Sequence, residues 1–592
     1  MRLTTCCLIA ATVSICCSAA ASQPAASFEP SPEALAIMSE IERAMTLELP
    51  GMPRPHHIAV THVRVEEHAV EASLGAIVTR VENVAATLKV EVRVGSGDFD
   101  SGNYIGTGRE PIVVSAAPLD SSPHALQHIL WLAADRAYKV ATSTFEAKRA
   151  YRDTIADVQD RPPDFTPAEV VQFTLRTRQN LPSLDTLTDL AGATSAVFLE
   201  YSTIHRSFTR ITTQMRYRTF VDSSGTIIED QTPMVRIATV ASTQADDGMV
   251  IVDHHTTASL NLADMPSKQE LVRSAQQLAW RVKHMRDAQV VSDYVGPVLF
   301  EREAAPQLFR FLLADELSAT PLPEPHSASD RSVGNLASRI GWRVLPVGFD
   351  ITDDPTQRTM ARHPLLGSYG FDDEGVRAHA VRLVEHGVLK TLLSSRTPSS
   401  TVAASNGHGR AGLMGSARGR AANLLITSRN GRSHSALVDE LLAVARQEGL
   451  AFAIIVSRFD NPSLSVDAVP GDAMQDGVGT DVLLPRPVEA YRLWMNGRVE
   501  PLRGVVLAGL RMRDLRQIRA SGRELHAHSY FASDGPWRGS GVRGGTIPTT
   551  VVAPAVLLPD VDVMRQAPPY PVPPVVPRST DMGGPPSSRA GD

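Results

Sequence analysis

The sequence predicts an α+β protein, with strand-rich regions separated by capped helices. Three observations predict it. Period-two stretches such as Val60-Thr-His-Val-Arg-Val65 and Leu88-Lys-Val-Glu-Val-Arg-Val94 read as strands with one buried face. Capped segments with helical apolar spacing stand between the strand-rich regions. The 592 residues, 43% hydrophobic and 21% charged, are enough for two or three folded domains. Aromatics are only 5%, so Leu, Val, Ile and Ala must carry the core.

The first 21 residues read as a secretory signal. Arg2 precedes an apolar run around Cys7 to Cys17, and Ser18-Ala19-Ala20-Ala21 supplies a small-residue cleavage site. A lipoprotein is the lesser reading, because Ile15 precedes Cys16 and Cys16 precedes Cys17 where a small residue is needed. The signal implies a periplasmic or secreted protein. All four cysteines, Cys6, Cys7, Cys16 and Cys17, lie in this segment. A chain cleaved there has no disulfide, no thiol nucleophile and no thiolate metal ligand. No later apolar run approaches the ~20 residues that span a bilayer. The net charge of -6 is small, and Lys and Arg are dispersed, which argues against nucleic acid or an anionic membrane as partner.

The predicted domains are 28–160, 161–290 and 291–562, with a Pro-rich tail over 563–592. Ser31-Pro32-Glu33 opens a helix with an N-cap, a first-turn proline and a first-turn acid. Residues 57–96 read as strands, and Gly95 to Asn103 as a turn cluster. Asp98 and Asp100 hint at a calcium loop whose later ligands are missing, so a plain turn is preferred. Ser122-Pro123 opens the longest helix, to about Arg152. Residues 165–262 read as strand and turn. Ser267-Lys-Gln-Glu270 is a capping box for a helix reaching about Arg286. A buried strand at Gly296–Phe300 then runs into a helix predicted from Glu301 to about Leu317, and strands, loops and two helices follow to about 560. The prolines after Pro568 suit a polyproline or disordered tail.

A string of short motifs occupies the second half. In order they are Gly341-Trp-Arg-Val-Leu-Pro346, Asp350-Ile-Thr-Asp-Asp-Pro355 and Gly370-Phe-Asp-Asp-Glu-Gly-Val376. Leu383-Val-Glu-His-Gly-Val-Leu389, Ser394-Ser-Arg396 and Ala422-Asn-Leu-Leu-Ile426 follow, then Ala490-Tyr-Arg-Leu-Trp-Met-Asn-Gly497 and Pro501-Leu-Arg-Gly504. Their order and spacing resemble the C-terminal domain of the TldD/PmbA (TldD/TldE) metallopeptidase family. The resemblance implies an N-terminal α/β domain, a C-terminal domain built on a large antiparallel sheet that lines a metal cavity, and a role in cutting unstructured peptides. It also implies two kinds of chain. The active one carries His-Glu-x-x-x-His on a helix and a downstream cysteine, all serving zinc. Its companion lacks them and completes a heterodimer.

Zinc needs three ligands from His, Cys or carboxylate and an open position for water. Two registers align here. One puts Glu301, Arg302 and Pro306 at the His, Glu and second His positions; the other puts Arg302, Glu303 and Gln307 there. Either way both histidines are gone, Arg302 is a fixed cation, and a cleaved chain has no cysteine. The resemblance therefore points to a TldE-like member with no metal or catalytic residues of its own. Zinc would be carried by a homologous TldD-like partner. Glu301 and Glu303, at i and i+2, read as helix N-terminal acids rather than an acid/base pair.

Other clusters were weighed. His124 and His128 have i, i+4 spacing on a helix and read as a surface pair. Glu524, His526 and His528 alternate along a strand, so a two-His-one-carboxylate site can be drawn, and an active metallopeptidase with these ligands is the alternative function. A stand-alone envelope binding protein is a third. His56-His57 and His254-His255 read as surface or turn residues. Asp353-Asp354-Pro355 and Asp372-Asp373-Glu374-Gly375 read as turns. No Gly-x-Ser-x-Gly elbow is present, and Gly415-Ser416 and Gly539-Ser-Gly541 read as plain loops. Asn406-Gly-His-Gly-Arg410 and Ala417-Arg-Gly-Arg-Ala421 form a basic, mobile loop that could meet a peptide carboxylate.

Overall fold

Ser31 opens the first helix as its sequence predicts: its Oγ accepts from the Ala34 N–H at 3.1 Å, and Pro32 lies in the first turn, where no intrahelical N–H bond is lost. This helix, α1 (Pro32–Ala44), packs beside α2 (Pro123–Asp153). The computed structural model describes residues 28–120, 122–155, 161–325, 336–361, 363–465, 484–532 and 546–566. The segment expected to be a signal, with its cysteines, Gly539-Ser-Gly541 and the residues from 567 lie outside the described residues.

The N-terminal lobe is a seven-stranded sheet. Its strands are β1 (Pro55–Ser73), β2 (Ala76–Val94), β3 (Ile112–Ala116), β4 (Gln172–Leu175), β5 (Arg206–Asp222), β6 (Ile227–Gln244) and β7 (Val250–Ser259). The order is β3-β2-β1-β5-β6-β4, with β7 also on β6, and only β4–β6 is parallel. Leu74 and Gly75, both at positive φ, close the β1–β2 hairpin in two residues, which matches the twist of the flanking strands. β1–β3 and β4–β7 share this sheet, so one sheet runs across residue 160. The expected capping box starts α4 (Lys268–Arg286): Ser267 Oγ accepts from Glu270 N, and Glu270 Oε2 accepts from Ser267 N at 2.8 Å. One element departs from the strand-and-turn reading of 165–262. It is α3 (Leu184–Ala196), capped by Ser183 and buried through Leu187, Leu190 and Ala191.

The C-terminal lobe is a twelve-stranded sheet, largely antiparallel. Its spine is the 19-residue strand Ile547–Arg565, which runs three residues into the segment predicted as tail. That strand pairs with Tyr294–Phe300, Asn423–Ser428, Val505–Ala508 and Ala520–Ala532, the second of these in parallel. Alternation along the strands gives two apolar faces. Val298, Phe300, Ile454, Val456 and Val556 face α5 (Ala304–Leu312). Leu299, Ala453, Ile455 and Leu557 face α6 (His434–Gln447) through Leu437 and Leu441.

Helix α5 is shorter than the predicted Glu301–Leu317 helix. Arg302 takes φ 50°, in the left-handed region, so Glu301–Glu303 form a turn before the helix. After Leu313 the chain tightens into the 3-10 turn Ala314–Leu317. Phe309 is fully buried in the core that holds Phe349. Phe309→Ala should lower stability by about 3–5 kcal/mol, read as a shifted urea midpoint.

Candidate functional site: a charged hub where a metal motif would stand

The turn Glu301–Glu303 and the first turns of α5 hold every degenerate motif position. Glu301 accepts from Ser457 Oγ at 2.9 Å and pairs with His434 Nε2 at 2.7 Å. Arg302 points outward and meets Glu489 at 3.0 Å. Pro306 lies in the first turn of α5, where the missing N–H is tolerated. Gln307 is fully buried and acts like a stretch of backbone: its Nε2 donates to Phe459 O at 3.0 Å, and its Oε1 accepts from Phe459 N at 2.8 Å. Glu303 is the half-buried N-cap residue of α5. Burial raises its carboxyl above the usual carboxylate range, while Arg458 and Arg302 oppose that shift. Glu301 and Glu303 thus precede the helix instead of lying within it.

Arg458 fills the space behind this turn. Its Nη2 meets Asp253 at 2.6 Å and Glu489 at 3.5 Å, and its Nη1 donates to His254 O at 2.7 Å. Asp253 also pairs with Arg281 at 2.8 Å. Burial opposes the charge on Asp253, but the two guanidiniums outweigh it and hold the carboxyl well below its usual range. Burial, followed by Arg458, depresses His254 to about 3, so its ring is neutral at physiological pH. The residues present do not fit zinc: an arginine stands among the carboxylates, and both histidine positions are bound elsewhere. Among the described residues, no three His, Cys, Asp or Glu side chains come together as a metal site.

The other sequence candidates separate. His124 and His128 are exposed on the first turns of α2. Glu524 is exposed and His526 half-buried, while His528 is buried and accepts from Arg310 Nη1 at 3.2 Å. His57 and His254, read as surface or turn residues, are buried in β1 and β7. Asp100 is no calcium ligand; it pairs with Arg93 at 3.2 Å and His56 at 3.1 Å.

The Asp372–Gly375 turn is a joint between lobes, whereas Asp353 ends the strand Phe349–Asp353 and pairs with His408 at 3.0 Å within the C-terminal lobe. Asp373 meets Arg218 of β5 at 3.4 Å. Asp372 accepts from the Glu374, Val376 and Gly409 N–H groups, and Glu374 accepts from Arg396 N at 2.6 Å. Arg396 pairs with Asp222 at 3.3 Å, and Phe165 lies between Arg93 and Arg396 with ring distances of 4.2 and 4.1 Å. The basic loop expected to be mobile is tied in as well: Lys89 of β2 donates to Gly415 O at 2.6 Å, and Ser416 donates to Glu110 at 2.9 Å. The cavity left at this joint, walled by His57, Lys89, Glu91, Phe165, Glu374 and Arg396, has room for about one or two waters.

Sequence reasoning found the motif positions but missed Arg458, Asp253 and Glu489. No local pattern marks them, because Asp253 and Arg458 are 205 residues apart. Arg458→Ala strands buried carboxylates and should cost about 3 kcal/mol or more. Arg302→Ala, at an exposed pair, should cost under about 1 kcal/mol in the same urea titration. A pH effect follows at the joint. Burial, then Asp372, lifts Glu374 to about 7, and burial lifts Asp372 to about 6. Groups raised on folding favour the folded state fully below their unfolded values near 4, and that benefit is lost as pH rises through about 7. Wild-type stability should therefore fall between about pH 4 and 7, and Glu374→Gln should flatten that fall.

Comparison with known proteins fits this architecture. Residues 293–472 match the PmbA/TldA metallopeptidase C-terminal domain. An Archaeoglobus fulgidus protein named metalloprotease is 33% identical over 114 residues, 19% of this chain and 24% of that one. One of the same name from Methanothermobacter thermautotrophicus is 44% identical over 61 residues, 10% and 12% of the two chains. The matches thus span about a quarter or less of these relatives. The crystal structure of TldE from Thermococcus kodakarensis superposes with a TM-score of 0.56 at 13% identity, over 90% of this chain and 100% of that one. A Thermotoga maritima protein described as a modulator of a DNA gyrase superposes with a TM-score of 0.54 at 14% identity, over 86% and 96%. The fold is shared along nearly the whole chain, and residues 293–472 carry the metallopeptidase-related C-terminal domain of the PmbA/TldD family.

Proposed function

We propose that this chain is an exported, catalytically silent TldE-like subunit that completes a zinc-bearing TldD-like homologue acting on unstructured peptides. The observation that carries the reading is the replacement of a metal-binding pattern by Arg302, Gln307 and the Arg458 hub. A fixed guanidinium among carboxylates satisfies the charge a divalent ion would satisfy. Export rests on the charged, apolar and small-residue order of residues 1–21. Among the described residues, no helix is long and apolar enough to cross a membrane. The subunit would contribute interface and part of a peptide channel. There an extended peptide could pair its backbone with a sheet edge, which tolerates varied sequence.

The test is purification of the protein from its host. A second chain carrying His-Glu-x-x-x-His should travel with it, and peptidase activity should appear only with both chains. Isolated, this subunit should hold far less than one zinc and leave casein uncut. Stoichiometric zinc with turnover by the isolated chain would overturn the reading.

A further inference from the structure

Helix α5 presents Glu303, Gln307 and Arg310 at i, i+4 and i+7, so the stripe that begins at the degenerate motif ends on Arg310. Arg310 is about nine-tenths buried. Its guanidinium lies over Tyr530 at 3.8 Å and Phe311 at 4.4 Å, and one N–H goes to His528 Nε2. Among the described residues no carboxylate lies within ion-pair distance of it. Asp315 is felt only through longer-range attraction. Every other buried arginine of the hub and the joint, including Arg93, Arg218, Arg396 and Arg458, has a carboxylate partner.

A buried charge without a counter-charge is destabilising, and cation–π contact offsets only part of that cost. An anion is the missing partner. His528 Nε2 already accepts from Arg310, so its remaining proton sits on Nδ1, and burial together with Arg310 keeps the ring neutral. Tyr530 is stacked on His528 with ring centroids 5.7 Å apart. Its hydroxyl, the His528 Nδ1–H and the other Arg310 N–H groups have no protein acceptor among the described residues. None of these atoms belongs to the sealed unpaired polar atoms, so each borders accessible space.

We propose that Arg310, His528 and Tyr530 form a carboxylate-binding site, with a peptide C-terminus or an acidic side chain as its natural occupant. Arg310 is the cation in contact with the two neutral donors, and Asp315 and Asp353 offset Arg420 farther out, so the surroundings suit a monoanion rather than a phosphate dianion. A planar guanidinium suits the two oxygens of a carboxylate. The site stands whether or not a zinc-bearing partner exists, because it uses only this chain's residues.

The test is thermal unfolding of the full-length mature chain at constant ionic strength, with acetate replacing chloride. The melting temperature should rise with acetate and saturate. Arg310→Met should abolish that rise and leave the acetate-free protein as stable as wild type or more so, because methionine relieves the uncompensated charge. Tyr530→Phe and His528→Gln retain the charge and should each weaken acetate at least tenfold; they serve if Arg310→Met fails to fold. Tetra-alanine with a free C-terminus, and an amidated alanine peptide with one internal glutamate, then separate the two sources. Stabilisation by either peptide supports the site. The same acetate response in all three variants, or none from acetate and both peptides in wild type, overturns it.

Discussion

The contact between Arg458 and Asp253 is the constraint on which the rest of the molecule depends. Asp253 belongs to the N-terminal sheet and Arg458 to the C-terminal sheet, and both are buried. A pair of this kind gains little over an apolar contact while intact, and is very costly to break from one side. Its effect is therefore on geometry more than on total stability. It fixes where β7 meets the strand Phe452–Phe459. Glu489 then bridges Arg458 and Arg302, so the turn before α5 is held by the same network.

This arrangement fills the region before α5 with charges and hydrogen bonds that satisfy one another. A zinc site supplies positive charge at one point and organises the acids around it. Here two guanidiniums supply positive charge around Asp253, and His254 stays neutral beside them. Gln307 joins the helix to the end of a strand by hydrogen bonds that need no ion. The region is thus a structural centre in its own right, and restoring two histidines alone would leave Arg458 among the acids.

Much of the fold was legible where the signal is local. Ser31 with Pro32, and Ser267 with Glu270, announce helix starts because the cap bonds lie within three residues. The alternation around Val60 and Leu88 announces strands for the same reason. Helix α3 escaped despite its Ser183 cap, because thirteen residues between strand-like stretches offer little periodic signal. Chemistry at a distance was not legible. His57 and His254 read as surface residues because nothing nearby in sequence says that another lobe will cover them. The absent metal motif could be read, since it depends on residue types at fixed spacing. Arg458, which shares Glu489 with Arg302, could not.

The spine strand Ile547–Arg565 has a consequence for the order of assembly. Its partners begin at residue 294, so the larger sheet lacks its central member until some 270 further residues have been made. During synthesis the edges of Tyr294–Phe300 and Asn423–Ser428 wait unpaired, while the β1–β2 hairpin can already close. The N-terminal lobe can be native when the other is still a set of open, sticky strands. A chain in that condition keeps aggregation-prone strand edges exposed until Ile547–Arg565 has been made.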